Sequence, residues 1–195
     1  MRERLTESIV LRPIEQSDVK MIYKWNNDEF LGLWQGCEFV SLSEYQKRYD
    51  SGGFNNGLLQ LLIIEVDEPV GLFVMKFPRP GLAQLGISLL PNFRGKGIAY
   101  KALQFAIKYI FNNYQIERIE ADTDIENSIA AEPLIKAGFK MEGILRKYRF
   151  HHAKFHDAAM YSLIRNDFEL IRKRKEVKNG KSCAQADSCR CCKEC

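Results

Sequence analysis

The sequence predicts a mixed α/β domain followed by a short polar tail. Three observations carry that prediction. Apolar runs of strand length, punctuated by Gly, Pro and Asp, recur through the first 170 or so residues. Two segments between them carry apolar residues at helical spacing. From Arg172 onward the apolar residues thin out and the chain turns basic. At 195 residues and 46% hydrophobic, the chain can bury a sizeable core. The division is a domain over residues 1–171 and a tail over 172–195.

The elements follow in order. "SIVLRPI" alternates and reads as a strand ending at Pro13. Ser17 reads as the N-cap of a helix over "DVKMIYKWNND". "SLSEYQKRYD" opens on a capping box, Ser41 with Glu44, and stops at Ser51-Gly52-Gly53. "LLQLLIIEV" and "VGLFVMKF" flank "DEP" and read as a hairpin. "LAQLGISLL" is a further strand, ended by Pro91. In "IAYKALQFAIKYIF", Ala99, Ala102, Leu103, Ala106, Ile107 and Ile110 repeat at helical spacing, so one face is buried. "ERIEADTD" is a strand. "NSIAAEPLIKA" is a helix stopping at Gly138, with a kink expected at Pro133. "FKMEGILRKYRFHH" and "FHDAAMYSLI" close a hairpin around Ala153-Lys154.

Charge and cysteine are both polarised. Arg165 to the end holds 9 basic and 5 acidic residues, which accounts for the whole net charge of +4. The body is neutral, which argues against a nucleic-acid partner. No apolar run is long enough to span a bilayer, and "MRERLTESIVL" lacks the apolar core of an export signal. The expected setting is cytoplasmic, without membrane association. Cys37 stands alone, while Cys183, Cys189, Cys191, Cys192 and Cys195 crowd the tail. In a reducing compartment such a cluster is a thiol or metal-binding appendage rather than a disulfide framework.

The stretch "NFRGKGIAY" places Arg94, Gly95, Lys96 and Gly97 directly before the amphipathic helix. A helix N-terminus carries unpartnered N–H groups and a partial positive charge. The glycines permit a tight bend and a close approach to backbone, and the cations add charge. This is an anion site. It is neither a P-loop, because Gly97 follows Lys96, nor a dinucleotide fingerprint, because Tyr100 stands where a third glycine is needed. The plain alternative is a strand-to-helix turn with solvated cations.

Arg94-x-x-Gly97-x-Ala99, after a strand and opening a helix, resembles the acetyl-CoA signature of the GNAT superfamily of N-acetyltransferases. A second segment, "DIENSIAAEPLIKAGF", is similar to that family's next helix, with Asn127 opening it and Gly138-Phe139 closing it. The opening "LRPIEQSDVKMIYKWNND" and closing "GILRKYRFHHAKFHDAAMYSL" look like the branch of ribosomal-protein N-terminal and spermidine acetyltransferases. The likeness runs over about residues 8–170. It implies the GNAT fold, a mixed, mostly antiparallel central sheet flanked by helices. It implies acetyl-CoA as co-substrate and no metal in catalysis.

The resemblance also implies roles. Backbone amides of Arg94, Gly95, Lys96, Gly97, Ile98 and Ala99 would hold the CoA pyrophosphate, with Asn127 nearby. The splayed strand end, Ile87, Ser88, Leu89 and Leu90, would pair with the pantetheine arm, and one of its N–H groups would polarise the thioester carbonyl. The acceptor amine is protonated at neutral pH and needs a base. Alternation puts Glu120, Asp122 and Asp124 on one strand face as candidates; otherwise they are solvated or cap the next helix. Many family members place an acidic Tyr seven residues after the Asn, or a Ser three after it; here these positions are Leu134 and Ala130, with Ser128 out of place. Tyr148 or water is the substitute acid.

His151, His152 and His156 flank a turn, but neighbours on a strand face opposite ways, which argues against a metal site. Tyr23, Trp25, Phe30 and Trp34 line an acceptor pocket or fill the core. The expected activity moves an acetyl group to a primary amine: a protein N-terminus, or a small molecule such as a polyamine or aminoglycoside. Asp28 and Glu29 supply little negative charge for a polycation. The alternative is an acyl-CoA-binding or regulatory module without turnover. A homodimer stays open.

Overall fold

A computed structural model describes residues 3–6, 9–27, 40–55, 57 and 59–178. Eight strands form one sheet: β1 Glu3–Thr6, β2 Ile9–Pro13, β3 Leu59–Val66, β4 Glu68–Arg79, β5 Gly81–Leu89, β6 Ile116–Asp124, β7 Lys140–His151 and β8 Lys154–Ile164. The helices are α1 Val19–Asn27, α2 Leu42–Asp50, α3 Ile98–Asn113, α4 Ser128–Ala137 and α5 Arg165–Lys178. The spatial order is β1-β2-β3-β4-β5-β6-β8-β7. All neighbours are antiparallel except β5 and β6. Parallel strands need a crossover, and α3 supplies it.

Each face of the sheet has its own core. Ile64, Phe73, Met75, Ala83, Leu85, Ile119 and Ala121 pack with Ala102, Leu103, Ala106, Ile107 and Ile110 of α3. Ile63 and Leu72 point the other way and pack with Val19, Ile22 and Tyr45 of α1 and α2. The helical spacing in α3 therefore marks a real buried face, with Ala99 half-buried beside it. Burying each such Leu or Ile side chain contributes about 1.5–3 kcal/mol.

Several local expectations shift. Ser17 lies inside a 3-10 turn, Gln16–Asp18; the cap comes from Asp18, whose Oδ2 accepts the Glu15 N–H at 2.8 Å. Ser41 Oγ does accept the Glu44 N–H, at 3.2 Å. The β3–β4 turn is tighter than "DEP": Asp67 alone makes it, at φ 62°, between the paired Val66 and Glu68. The β7–β8 turn is His152-Ala153, both at positive φ. Pro133 does not break α4, which runs on to Gly138 at φ 104°.

Two elements were absent from the sequence reading. β1 is a short polar edge strand. α5 starts where β8 ends and continues through position 172 to Lys178, with Phe168 and Ile171 against the α3 core. Arg165 locks that junction. Its guanidinium donates to the carbonyls of Phe111 (2.8 Å), Tyr114 (3.1 Å) and Ile116 (2.6 Å), so it satisfies groups left open where α3 ends.

Candidate active site

The central feature is a gap between two parallel strands. β5 and β6 pair from Gly81–Ile116 to Gln84–Glu120 and no further. Leu85–Leu89 and Ala121–Asp124 therefore form the two walls of a wedge. β5 stays bound to β4 along its whole length. Gly71 lies opposite Leu89, and a Cβ there would overlap the Ser88 carbonyl, so β4 lies close against the splayed end.

Backbone direction on the β5 wall follows from one bond. The Leu90 N–H donates to Val70 O at 2.9 Å. Antiparallel pairing alternates bonded and non-bonded residues. Gly86, Ser88 and Leu90 thus turn to β4, and the backbone amides of Ile87 and Leu89 face the wedge. Of the four residues expected on this wall, two present N–H groups to the gap and two do not.

The wedge opens onto the glycine-rich bend. Pro91–Phe93 make a 3-10 turn, Gly95 and Gly97 sit at φ 71° and 75°, and α3 starts at Ile98. These are left-handed conformations that suit glycine, and a Cβ at either position meets nothing within 4 Å. The bend is thus an open concavity beside unpartnered helix N–H groups. Arg94 turns back, and its Nε donates to Leu89 O at 2.9 Å, tying the bend to the β5 wall. Lys96 stands over the Phe93 ring. Asn127 caps α4, with Oδ1 accepting the Ala130 N–H at 3.2 Å.

The β6 wall carries the three carboxylates. Leu72, on the α1–α2 face, lies opposite Ser88, and alternation puts Gln84 on that face. Gln84 Nε2 reaches Glu120 at 3.3 Å, so Glu120, Asp122 and Asp124 share it. Each has a cationic or ionisable partner. Glu120 takes Arg118 Nε at 2.6 Å. Asp122 takes Arg149 Nη2 at 2.5 Å. Asp124 lies 2.6 Å from His151 Nε2. Arg118 also grips Glu142, and this guanidinium, with the Ser162 hydroxyl, lowers the Glu142 carboxyl to about 2.

Tyr148 stands apart. It is 52% exposed, in the bulge of β7, and β8 separates β7 from β6. Tyr23 and Trp25 pack against the α1–α2 core; Phe30, Trp34, Asp28, Glu29 and Cys37 lie outside the described residues, as do the tail cysteines. The adjacent His151 and His152 face opposite ways, as expected. His152 is exposed in the turn, but His151 and His156 stack with ring centroids 3.8 Å apart. Among the described residues no three His, Cys, Asp or Glu side chains are placed to hold a metal ion, and no helix is long and apolar enough to cross a membrane.

Comparison with known proteins accords with this geometry. The family model described as "Acetyltransferase (GNAT) domain" matches residues 8–140. The uncharacterized N-acetyltransferase p20 of Bacillus licheniformis is 28% identical over 178 residues, spanning 86% of this chain and 99% of that protein. The ribosomal-protein-serine acetyltransferase of Escherichia coli (strain K12) is 23% identical over 170 residues, spanning 83% of this chain and 95% of that protein. The crystal structure of spermidine N-acetyltransferase from Vibrio cholerae in complex with CoA and spermine superposes with a TM-score of 0.75 at 19% identity, covering 84% of this chain and 99% of that one. The chain belongs to the GNAT family and is an N-acetyltransferase.

Proposed function

We propose that this GNAT-family chain uses acetyl-CoA as donor and a peptide or protein amino-terminus as acceptor. The observation that carries the donor assignment is the wedge between β5 and β6, open beyond Gln84–Glu120 and leading into the bend at Gly95 and Gly97. The residues fit the donor. The bend is an empty cradle that a side chain at position 95 or 97 would fill. Amides from Arg94 to Ala99 would hold the pyrophosphate, and the Ile87 and Leu89 amides would orient the pantetheine arm and polarise the acetyl carbonyl. Arg94 keeps bend and wall in register through Leu89 O. Asn127 sets the start of α4 beside the wedge. Bound acetyl-CoA supplies an activated thioester.

The acceptor face supports the peptide reading. Among the described residues each carboxylate on β6 has a partner on the same face: Arg118, Arg149 or His151. A polycation needs carboxylates open to it, and Glu120, Asp122 and Asp124 are buried or half-buried against these partners. A polyamine is the second reading, favoured by the spermidine and spermine of the Vibrio cholerae relative. It rests on Asp28 and Glu29, which lie outside the described residues. With Tyr148 apart from the wedge, water would return a proton to the leaving sulfur. The cytoplasmic setting completes this reading; with α5 running across position 172 to Lys178, the division falls after that helix rather than at 171/172, and the Cys-rich appendage lies beyond it.

The test is an acceptor screen by mass shift, with peptides of varied first residue, ribosomal proteins, spermidine, spermine and aminoglycosides. Acetylation of peptide α-amines at least tenfold above polyamines is expected. The reverse order would overturn the acceptor assignment.

A further inference from the structure

The carboxylate row ends at a buried imidazole, His151, stacked on the half-buried His156. Asp124 is 2% exposed and His151 6%. His151 Nε2 lies 2.6 Å from Asp124 Oδ2, and the His151 ring stacks on His156 at an interplanar angle of 10°. The register builds this cluster. Ala158 of β8 lies opposite Asp124, and His156, two residues on along the same face, lies opposite Arg149 of β7. The hairpin thus runs past the end of β6 and brings its imidazoles to the last residue of the wedge wall.

Among the described residues, the charged and titratable groups around the pair are few. β6 supplies Asp122 and Asp124. β7 supplies Arg149, whose Nε is 3.9 Å from Asp124 Oδ1. The turn supplies His152, edge-on at 5.4 Å, and β8 supplies His156 and the exposed Lys154 opposite His151.

Three features suit this cluster to moving a proton. Asp124 Oδ1 and His156 Nε2 are buried without a hydrogen-bond partner, whereas buried polar groups are normally paired. Imidazole is the side chain that changes charge near neutrality. The His156 ring, stacked at 3.8 Å, holds the His151 ring in place. Asp124, 2.6 Å away, is the counter-charge for a proton on His151. Glu120 and Asp122, by contrast, spend their lone pairs on arginines that do not release protons.

We infer that His151, held by Asp124, receives the proton released by the acceptor amine, and that His156 positions the ring. The inference rests on the acetyl-transfer reading above. The amine nitrogen forms the new bond to the acetyl carbon, and the carbon–sulfur bond breaks with its electron pair leaving on sulfur. The proton lost from nitrogen passes to the His151 imidazole, directly or through one water, giving an imidazolium beside the Asp124 carboxylate. The proton then leaves to solvent or to the sulfur.

The test combines rate–pH profiles with NMR of protein carrying 13C-labelled histidine. One resonance, assigned to His151 by its loss in His151→Gln, should titrate with the midpoint of the kcat/KM profile. Asp124→Asn should move both midpoints together to lower pH, since the imidazolium loses its counter-charge. His151→Gln should lower kcat/KM for the acceptor by roughly 10² to 10⁴ and flatten the profile, with CoA affinity by calorimetry within about twofold. If that variant does not fold, the wild-type titration and Asp124→Asn decide. A His151 resonance that does not follow the rate, or a folded His151→Gln with wild-type rate and profile, overturns this inference alone. Wild-type protein that binds CoA yet acetylates no amine overturns the transfer reading beneath it.

Discussion

Arg149 holds Asp122 through two nitrogens, Nη2 at 2.5 Å and Nε at 3.1 Å from the same carboxylate oxygen, and Nη2 also reaches the Asp122 carbonyl at 2.9 Å. Asp122 is thereby fixed to the β7–β8 hairpin rather than presented to an incoming amine. Glu120 is fixed likewise by Arg118 and Gln84. Amide substitutions should therefore rank the three carboxylates. Glu120→Gln and Asp122→Asn should keep turnover within about tenfold of wild type, while Asp124→Asn loses roughly 10² to 10⁴. Initial rates at saturating acetyl-CoA give the ranking. A hundredfold loss in Glu120→Gln or Asp122→Asn, with Asp124→Asn unaffected, would move the base along the strand.

Acid should weaken the α1 end of the domain first. Burial pushes the Asp18 carboxyl up, but hydrogen bonds from the Arg12 guanidinium and the Glu15 N–H outweigh it and leave it below the ordinary carboxylate range. Arg12 also binds Glu65 at 2.6 Å, so β2, β3 and the first turn share one network. A carboxyl lowered on folding stabilises the protein above its unfolded value, near 4, and that stability is lost as the pH falls through the folded value. Urea midpoints should thus fall steadily below about pH 4, and Asp18→Asn should flatten that fall while lowering the midpoint at pH 7. An unchanged acid slope in Asp18→Asn would place the sensitivity elsewhere.

What the sequence shows and what it hides follow from distance along the chain. The α3 face and the positive-φ glycines at 95 and 97 are local patterns, and both are in the structure as read. Gly138 at the end of α4 is another such signal. β1 escaped because "ERLT" has no apolar alternation. α5 escaped because its basic residues mask the one useful spacing, Phe168 to Ile171, which packs on the core. The wedge residues were legible as a strand, but which amides face the gap depends on β4 register, which no local pattern encodes. The Asp124–His151 contact joins residues 27 apart across three strands.

The Cys-rich tail should be dispensable. The segment from Cys183 to Cys195 has no apolar side chain larger than Ala apart from its thiols, so it cannot form a core of its own. Truncation after Lys178 keeps all of α5 and its packing. Acetyl transfer should stay within about twofold and the melting temperature within a few degrees, since surface changes alter stability little. A large loss of activity on truncation, or on adding a chelator to the full chain, would make the tail part of the working site.

The account turns on the bend at Gly95–Gly97 receiving the CoA pyrophosphate, and calorimetry of CoA binding to wild type and Gly97→Asp tests that most directly. Wild type should bind with a Kd of about 1–10 μM, near 7–8 kcal/mol. Asp tolerates a left-handed backbone better than most residues, so the variant should fold. Its carboxylate would stand in the open space now beside Gly97, where it would occupy the cradle and repel a phosphate. No measurable binding to a folded Gly97→Asp protein is the predicted result. Unchanged affinity in that variant would contradict the assignment of the bend, and with it the placement of the donor in the wedge.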